Sequence, residues 1–181
     1  MTRAELLQLL VGGAALASVA PSAAASGPTD FEARIYGLEA REEIHGLMMA
    51  YGRTLDSRDF QAFAGLWAAD AEYVQGVGPA AKGPAAIRAV LEAAFARNAA
   101  GVKGPNFHVF FNEAIGPVGR DRATAFSRSA FVAAGPDGGL EVVITAHYDD
   151  TFIRENGRWK FLRRVITADA FAPPGRPTNR N

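Results

Sequence analysis

Cysteine is absent from this chain of 181 residues. Without a thiol the protein cannot form a disulfide, a thiolate nucleophile or a thiolate metal site. An excess of either charge is also missing, because 19 basic residues balance 19 acidic ones and no run of Lys or Arg stands out. The sequence therefore lacks the electrostatic footprint of a nucleic-acid-binding protein. A small, uncharged or weakly charged partner is the expectation that remains.

A membrane-spanning segment is missing as well. The apolar N-terminal stretch at residues 6–20 is too short and too rich in Ala and Gly to span a bilayer. It follows Arg3 and precedes Pro21 and small residues at 22–27, which is the layout of a secretory signal peptide. An Ala-rich N-terminal helix is the alternative. We expect residues 1–26 to be removed and the mature protein to be periplasmic or secreted from a bacterium, free of the membrane.

Hydrophobic residues, 49% of the chain, suffice for one well-filled core. An apolar stripe with helical spacing predicts a helix over about residues 31–55, with its buried face at Ile44, Leu47, Met48, Tyr51 and Leu55. The polar turn at residues 56–59 can cap a second helix, and a strand is predicted at 71–75. The expected buried face of the second helix is Phe60, Phe63, Leu66 and Trp67.

The second half of the chain has the pattern of strands. After a third helix that begins at Gly83-Pro84, strands are predicted at residues 106–115, 122–134, 140–154 and 158–170. Asn156-Gly157 is a strong hairpin signal. We therefore predict an α+β fold, in which three N-terminal helices pack on a strongly curved antiparallel sheet that forms a cone with a pocket at its mouth. The domain spans residues 27–172, and the Pro-rich tail at 173–181 cannot join a sheet.

Four segments resemble the SnoaL-like branch of the nuclear transport factor 2-like (NTF2-like) superfamily. They are YGRTLDSRDFQAFAGLWAADAEY, GPAAIRAVLE, FHVF and TFIRENGRWKFLRRV, and the resemblance extends over about residues 35–170. It implies the cystatin-like cone but says little about the reaction. The superfamily includes scytalone dehydratase, a dehydrochlorinase of chlorinated cyclohexanes, ketosteroid isomerase, epoxide hydrolases, polyketide cyclases and non-catalytic binding domains.

The resemblance also suggests site residues. Asp56 falls where the dehydratase and the dehydrochlorinase carry an aspartate at the end of the first helix, and His108 falls on their catalytic histidine. Tyr51 matches the oxyanion-hole tyrosine of ketosteroid isomerase. The general base of that enzyme would fall near Gln75, which cannot take a proton, and this argues against isomerase chemistry. Arg164 corresponds loosely to an arginine on the last strand of the dehydrochlorinase.

An Asp-His pair is a chemically sound general base, because the carboxylate fixes the imidazole tautomer and leaves the second nitrogen free to remove a proton. Plainer interpretations stay open for each residue. Asp56 suits the N-cap of the second helix, His108 suits a structural position in an apolar strand, and Tyr51 suits the core. His45 is expected on the surface.

The aromatic content suggests a hydrophobic pocket. We expect Tyr148 to point inward rather than His147, because it shares the parity of Val142, Ile144 and Ala146. The predicted substrate-binding residues are Tyr148, Phe110, Tyr73, Trp67 and Arg164, and the aromatic residues Phe107, Phe111, Phe126 and Phe131 are expected to add to the same surface.

The functional hypothesis is a cofactor-independent lyase or dehydratase, in which His108 is the base, Asp56 orients it, and Tyr51 or Tyr148 polarises the leaving group or a carbonyl. Its substrate would be a small cyclic or aromatic molecule. No metal is expected, because no His and carboxylate set has ligand spacing. The alternative is a non-catalytic small-molecule-binding or interaction domain of the same fold. A homodimer or homotrimer is expected, because curved sheets usually bury an outer face against a second copy.

Overall fold

The computed structural model describes residues 28–98, 101–102, 104–135 and 137–171. The predicted signal peptide at residues 1–26 and the Pro-rich tail at 173–181 lie outside the described residues. Within the described ranges, no helix is long and apolar enough to cross a membrane.

The first helix, α1, spans Pro28–Asp56 and continues without a break. Four residues of its apolar stripe are buried as the spacing predicts, since Ile44, Met48, Tyr51 and Leu55 are at most 4% exposed, whereas Leu47 is only partly buried. Near the C-terminal end of this helix, a Cβ at Gly52 would come within 2.7 Å of the Phe110 ring. The missing side chain thus allows the C-terminal part of α1 to pack closely against the sheet.

The second helix, α2, is shorter than expected and covers only Phe60–Ala64. Its N-cap is Asp59, whose side chain accepts a hydrogen bond of 2.8 Å from the backbone N–H of Ala62. The prediction that Trp67 lies on a helical face is wrong, because Trp67 opens strand β1, Trp67–Gln75. The helix ends at Gly65, and the Leu66 carbonyl then accepts from the N–H of Phe161, which draws the chain into the sheet.

The six strands form one sheet that is mixed rather than antiparallel. After β1 come β2 (Ala81–Lys82), helix α3 (Gly83–Ala96), β3 (Asn106–Ile115), β4 (Arg122–Ala134), β5 (Leu140–Glu155) and β6 (Arg158–Phe171). The order is β2-β1-β6-β5-β4-β3, and the pairing of β1 with β6 is parallel. The expectation of a wholly antiparallel sheet fails because the first long strand pairs with the last one. The α+β cone fold is confirmed.

Irregular pairing bends the sheet around the helices. The register shifts once between β3 and β4, once between β4 and β5, and twice between β5 and β6. Such bulges increase the local twist and bend a strand. The bulge between β4 and β5 makes one prediction wrong, namely that Val142 points inward with Ile144, Ala146 and Tyr148. Because the extra residue reverses the alternation there, Val143 is 1% exposed and Val142 is 53% exposed.

The β5–β6 hairpin forms at the predicted turn. Asn156 and Gly157 adopt positive φ angles of 52° and 77°. This is the backbone that a two-residue hairpin turn requires. The tight turn sets the register as far as Phe152 opposite Phe161. The bulge that follows shifts it by one residue, which brings Arg164 opposite Asp150 and Ile166 opposite Tyr148.

Candidate functional site

A cavity of about 340 Å³ opens between the end of α1, helix α3 and the concave face of the sheet. Its lining is mainly apolar and includes Leu91, Ala94 and Phe95 of α3 and Phe131 of β4. An apolar cavity of about 150 Å³ holds one benzene molecule. The volume therefore suits a ligand of one or two rings, and it lies within the range of small-molecule sites.

Asp56 and His108 are in contact at the side of this cavity. The last residue of α1 is Asp56, and its Oδ1 lies 2.6 Å from Nδ1 of His108. The same carboxylate accepts from the backbone N–H of His108, with distances of 3.2 and 3.1 Å to its two oxygens. A carboxylate at a helix C-terminus opposes the helix dipole. The contacts from β3 offset that cost, and Asp59 rather than Asp56 caps α2.

The imidazole of His108 has one nitrogen in use and one left over. Because a carboxylate can only accept, Nδ1 carries the proton in the neutral ring, and Nε2 keeps its lone pair. His108 lines the cavity and its side chain is 12% exposed, whereas Asp56 is not part of the lining. The Phe131 ring, with its centroid 4.8 Å away, and the Phe110 ring, at 6.1 Å, pack against the imidazole and restrict its rotation.

Three tyrosine hydroxyls and one serine hydroxyl form two hydrogen-bonded pairs in the lining. The hydroxyls of Tyr51 and Tyr73 lie 3.3 Å apart, and that of Tyr148 lies 2.8 Å from Oγ of Ser129. All four residues line the cavity. In each pair one hydroxyl donates to the other, so one O–H of each pair can donate to a ligand oxygen, and this part of the site suits a carbonyl, a hydroxyl or a phenol oxygen.

Burial raises the pKa of Tyr51, of Tyr73 and of Tyr148 above the ordinary value of a phenol, and it does so strongly for Tyr73. The charge of Arg164 opposes the increase at all three residues without cancelling it. The three phenols are therefore neutral hydrogen-bond donors at physiological pH. None of them is a candidate for a phenolate base.

This leads to a prediction for alkaline pH. The unfolded chain releases these three phenolic protons near pH 10, whereas the folded chain holds them. The free energy of unfolding should therefore fall as the pH rises above about 10, by up to roughly 1.4 kcal/mol per pH unit for each tyrosine. Spectrophotometric titration of Tyr36→Phe, which keeps only Tyr51, Tyr73 and Tyr148, should show phenolate absorbance only as the circular dichroism signal is lost. Phenolate that forms near pH 10 in a folded protein would contradict it.

Arg164 lies beneath the tyrosines and does not line the cavity. It is 0% exposed, and its Nε and Nη2 donate to the two carboxylate oxygens of Asp150 at 2.7 and 2.6 Å. Its guanidinium lies 4.0 Å from the ring centroid of Tyr51 and 4.6 Å from that of Tyr148. Although burial alone lowers the pKa of the guanidinium, the Asp150 carboxylate raises it above its ordinary value. The pair therefore places a fixed cation behind both phenol rings.

The other predicted substrate-binding residues separate into two groups. Tyr148 and Tyr73 line the cavity, whereas Phe110 and Trp67 pack behind it, against the Tyr51 ring. Of the additional aromatic residues, only Phe131 lines it. The other three, Phe107, Phe111 and Phe126, alternate with the cavity-lining residues of their strands and lie on the outer face of the sheet. Phe107 and Phe111 are each 40% exposed, and Phe126 stacks on His147. Aromatic composition thus overstated the aromatic surface of the pocket.

Several polar lining residues were not anticipated. Arg58, Asn98, Asn106 and Ser129 all line the cavity. Arg58 and Asn98 adopt positive φ angles of 61° and 49°, and both stand where the chain leaves a helix. Asn106 has the same parity on β3 as His108, so the alternation of that strand is the signal that identifies it. Gln75 also lines the cavity, with no carboxylate at that position.

The two other histidines also contact carboxylates, but away from the cavity. His147 Nδ1 lies 2.7 Å from Oδ1 of Asp169, whose other oxygen accepts from Arg128. His45 lies 3.0 Å from Glu113, with a side chain that is 47% exposed. Among the described residues, no group of three His, Asp or Glu side chains is placed to hold a metal ion.

Comparison with known proteins identifies the family. The profile of the SnoaL-like domain matches residues 37–165, so the chain belongs to the SnoaL-like domain family. An NTF2-like protein with a cystatin-like fold from Novosphingobium aromaticivorans is 30% identical, with a TM-score of 0.69 over 82% of this chain and 94% of that chain. No functionally curated protein shows significant sequence similarity to this chain.

Two further solved structures have similar folds. A provisionally assigned scytalone dehydratase from Novosphingobium aromaticivorans is 20% identical, with a TM-score of 0.62 over 83% of this chain and 99% of that chain. The hexachlorocyclohexane dehydrochlorinase LinA-type3 from Novosphingobium barchaimii is 24% identical, with a TM-score of 0.62 over 76% of this chain and 92% of that chain. At these identities the similarity establishes the fold and not the substrate.

Proposed function

We propose that the protein is a cofactor-independent lyase that eliminates water or a comparable leaving group from a small cyclic or aromatic substrate. The observation that carries this proposal is the 2.6 Å contact between Asp56 and Nδ1 of His108, in a pair whose histidine lines an otherwise mainly apolar cavity. Asp56 orients the imidazole, and Nε2 of His108 is the general base. The names of two structurally similar proteins, a dehydratase and a dehydrochlorinase, both denote eliminations and support this class.

The reaction follows from the groups available. His108 Nε2 removes a proton from carbon, and the C–H electron pair forms the new double bond as the C–O bond breaks. The hydroxide leaves as water, and the proton that it needs is the one that the imidazolium gives up. Tyr51 or Tyr148 donates a hydrogen bond to the departing oxygen or to a neighbouring carbonyl, where negative charge develops.

The site also accounts for the choice of substrate class. One or two rings fill the cavity volume, and the apolar walls favour a flat or alicyclic skeleton over a polar chain. The three neutral tyrosines and Ser129 match a ligand with one or more oxygen substituents. A hydroxylated ring compound that gains conjugation when water leaves satisfies both requirements.

A panel of hydroxylated aromatic, alicyclic and terpenoid compounds tests this proposal. Each compound is incubated with the wild-type protein and with His108→Gln, and the products are examined by mass spectrometry for loss of water. Loss of water in the wild-type sample alone supports the lyase. Binding of panel members without any turnover would instead favour the non-catalytic ligand-binding alternative.

We also propose that the mature protein is an exported homodimer or homotrimer. Phe107, Val109 and Phe111 on β3 are each about 40% exposed. Exposed apolar side chains grouped in this way on one strand are typical of a surface that contacts another protein. The outward residues of β4 and β5 include the polar Arg128 and His147, and the exposed apolar side chains of β5, Leu140 and Val142, lie at the start of that strand.

Native mass spectrometry of the exported protein should show a protomer that lacks about the first 26 residues, in a dimer or trimer. Replacing Phe107 and Phe111 with Ser should shift the assembly towards monomer, because it removes apolar surface from the interface. A full-length protomer would contradict removal of the predicted signal peptide, and a wild-type monomer at micromolar concentration would contradict the assembly.

A further inference from the structure

The cavity has a positive charge and no negative one. Among the described residues that line it, Arg58 is the only one with a permanent charge, and no Asp or Glu is present. The Asp56 carboxylate is not part of the lining and is bonded to His108. A ligand in this cavity therefore meets one guanidinium, one imidazole and neutral hydroxyls and amides.

Arg58 is held firmly at the wall. Its Nη1 donates to the carbonyl of Leu55 at 2.7 Å and to that of Asp56 at 3.3 Å, and its Nη2 donates to the side-chain oxygen of Asn106. The guanidinium lies 3.9 Å from the centroid of the Phe95 ring. A cation that is fixed on an aromatic face and on two carbonyls loses little further freedom when it binds a ligand.

The guanidinium nevertheless keeps donors to spare. Arginine has five N–H groups, and these three bonds leave the N–H of Nε and one N–H of Nη2 without a partner among the described residues. Burial lowers the pKa of Arg58 and the Asp56 carboxylate opposes that change, but the residue stays cationic at neutral pH. Unused donors on a partly desolvated cation at an apolar cavity favour an anion, because hydrogen bonds between charged groups are roughly twice as strong as those between neutral groups.

We propose that Arg58 is an anion-binding residue and that the ligands of this cavity are cyclic or aromatic carboxylic acids. The carboxylate accepts from the free N–H groups of Arg58, and the ring lies between Phe95 and Phe131, towards His108 and the tyrosine hydroxyls. As a description of the substrate this rests on the proposed lyase function. As a statement about binding it does not.

Isothermal titration with matched pairs of acid and amide tests the proposal. The probes are benzoate, 4-hydroxybenzoate and cinnamate, each compared with its own amide, which has the same shape and no charge. The wild-type protein should bind the acid of at least one pair roughly tenfold or more tightly than the amide. In Arg58→Gln that ratio should fall to about one. Equal affinities in the wild type, a ratio that survives in Arg58→Gln, or no binding of any probe would overturn the proposal.

Three control variants separate anion binding from other roles. Arg53→Gln removes a neighbouring exposed charge of α1 that does not line the cavity, so the ratio should be unchanged. Asn106→Ala breaks one support of Arg58 and keeps the charge, so the acid should still be preferred. Arg58→Gly relieves the positive φ of 61° and should lose the preference in a folded protein.

His108→Gln distinguishes this inference from the lyase proposal. It should keep the acid preference, because His108 is not needed for binding. If the acid preference is present but no compound of the hydroxylated panel, acid or neutral, is turned over, the anion site is supported and the lyase proposal is refuted. If neutral rings are turned over and the acid preference is absent, the lyase stands and the anion site falls.

Discussion

Replacing His108 with glutamine is expected to abolish turnover of an active substrate and to leave ligand affinity largely unchanged. The imidazole acts mainly in the transition state, where it takes the proton, so its loss affects kcat rather than binding. Glutamine has a similar size and keeps a polar group against Phe131. Steady-state kinetics, together with titration of the same ligand, separate the two effects. A variant with wild-type kcat would refute His108 as the base.

Asp56→Asn should lower kcat by roughly 10² or more, because the amide no longer selects the imidazole tautomer with the proton on Nδ1. Nitrogen NMR of the His108 ring provides a second readout that needs no substrate. The Nδ1–H tautomer should predominate in the wild type and lose that predominance in the variant. An unchanged tautomer and an unchanged kcat would together contradict the orienting role of Asp56.

The chain contains its own matched control for this pair. His147 and Asp169 show the same contact, Nδ1 to carboxylate at 2.7 Å, but neither lines the cavity. His147→Gln and Asp169→Asn should therefore leave turnover at the wild-type level. A loss of activity in these variants equal to that of the cavity pair would show that the effect is structural rather than chemical.

Local patterns were enough to predict most elements of this fold. The apolar stripe of α1 and the turns between β3 and β6 depend on neighbouring residues, and the bounds expected for these four strands differ from the observed ones by one residue at most. The start of β1 at Trp67 and its parallel pairing with β6 depend on residues about ninety positions away, as in the pairing of Trp67 with Phe161. A helical spacing of Phe60, Phe63 and Trp67 competed with that non-local pairing and was misleading.

The contacts of the candidate site also depend on residues that are far apart in the sequence. The contact of Asp56 with His108 joins residues 52 positions apart, and only the family resemblance suggested that they lie together. Arg58 stands in a polar turn that looks like solvent-exposed chain, and its place in the cavity depends on Asn106 and Phe95. Arg163 and Arg164 are adjacent on β6, and no sequence pattern indicated which of the two would be buried.

The largest effect on stability is expected from Arg164→Met. This substitution leaves the Asp150 carboxylate buried without its partner, and breaking a buried ion pair in this way costs about 3–5 kcal/mol. Because a domain of this size loses about 2–4 °C per kcal/mol, the melting temperature should fall by about 10 °C. Chemical denaturation followed by circular dichroism provides the free energy of unfolding directly. A loss below about 1 kcal/mol would contradict the account.

Two further variants show whether the cost comes from the unpaired charge. Arg163→Met removes the adjacent arginine, which is half exposed and faces Glu72 at 3.4 Å, so the expected loss is under about 1 kcal/mol. The double variant Asp150→Leu with Arg164→Met removes both charges and should recover most of the stability that Arg164→Met loses, because a buried pair contributes little net free energy over apolar residues of similar size. It also keeps the prediction testable if the single variant fails to fold.

Since the guanidinium packs on the rings of Tyr51 and Tyr148, the stable double variant should still have a reduced kcat. Wild-type kcat in that variant would show that the buried pair serves the fold alone.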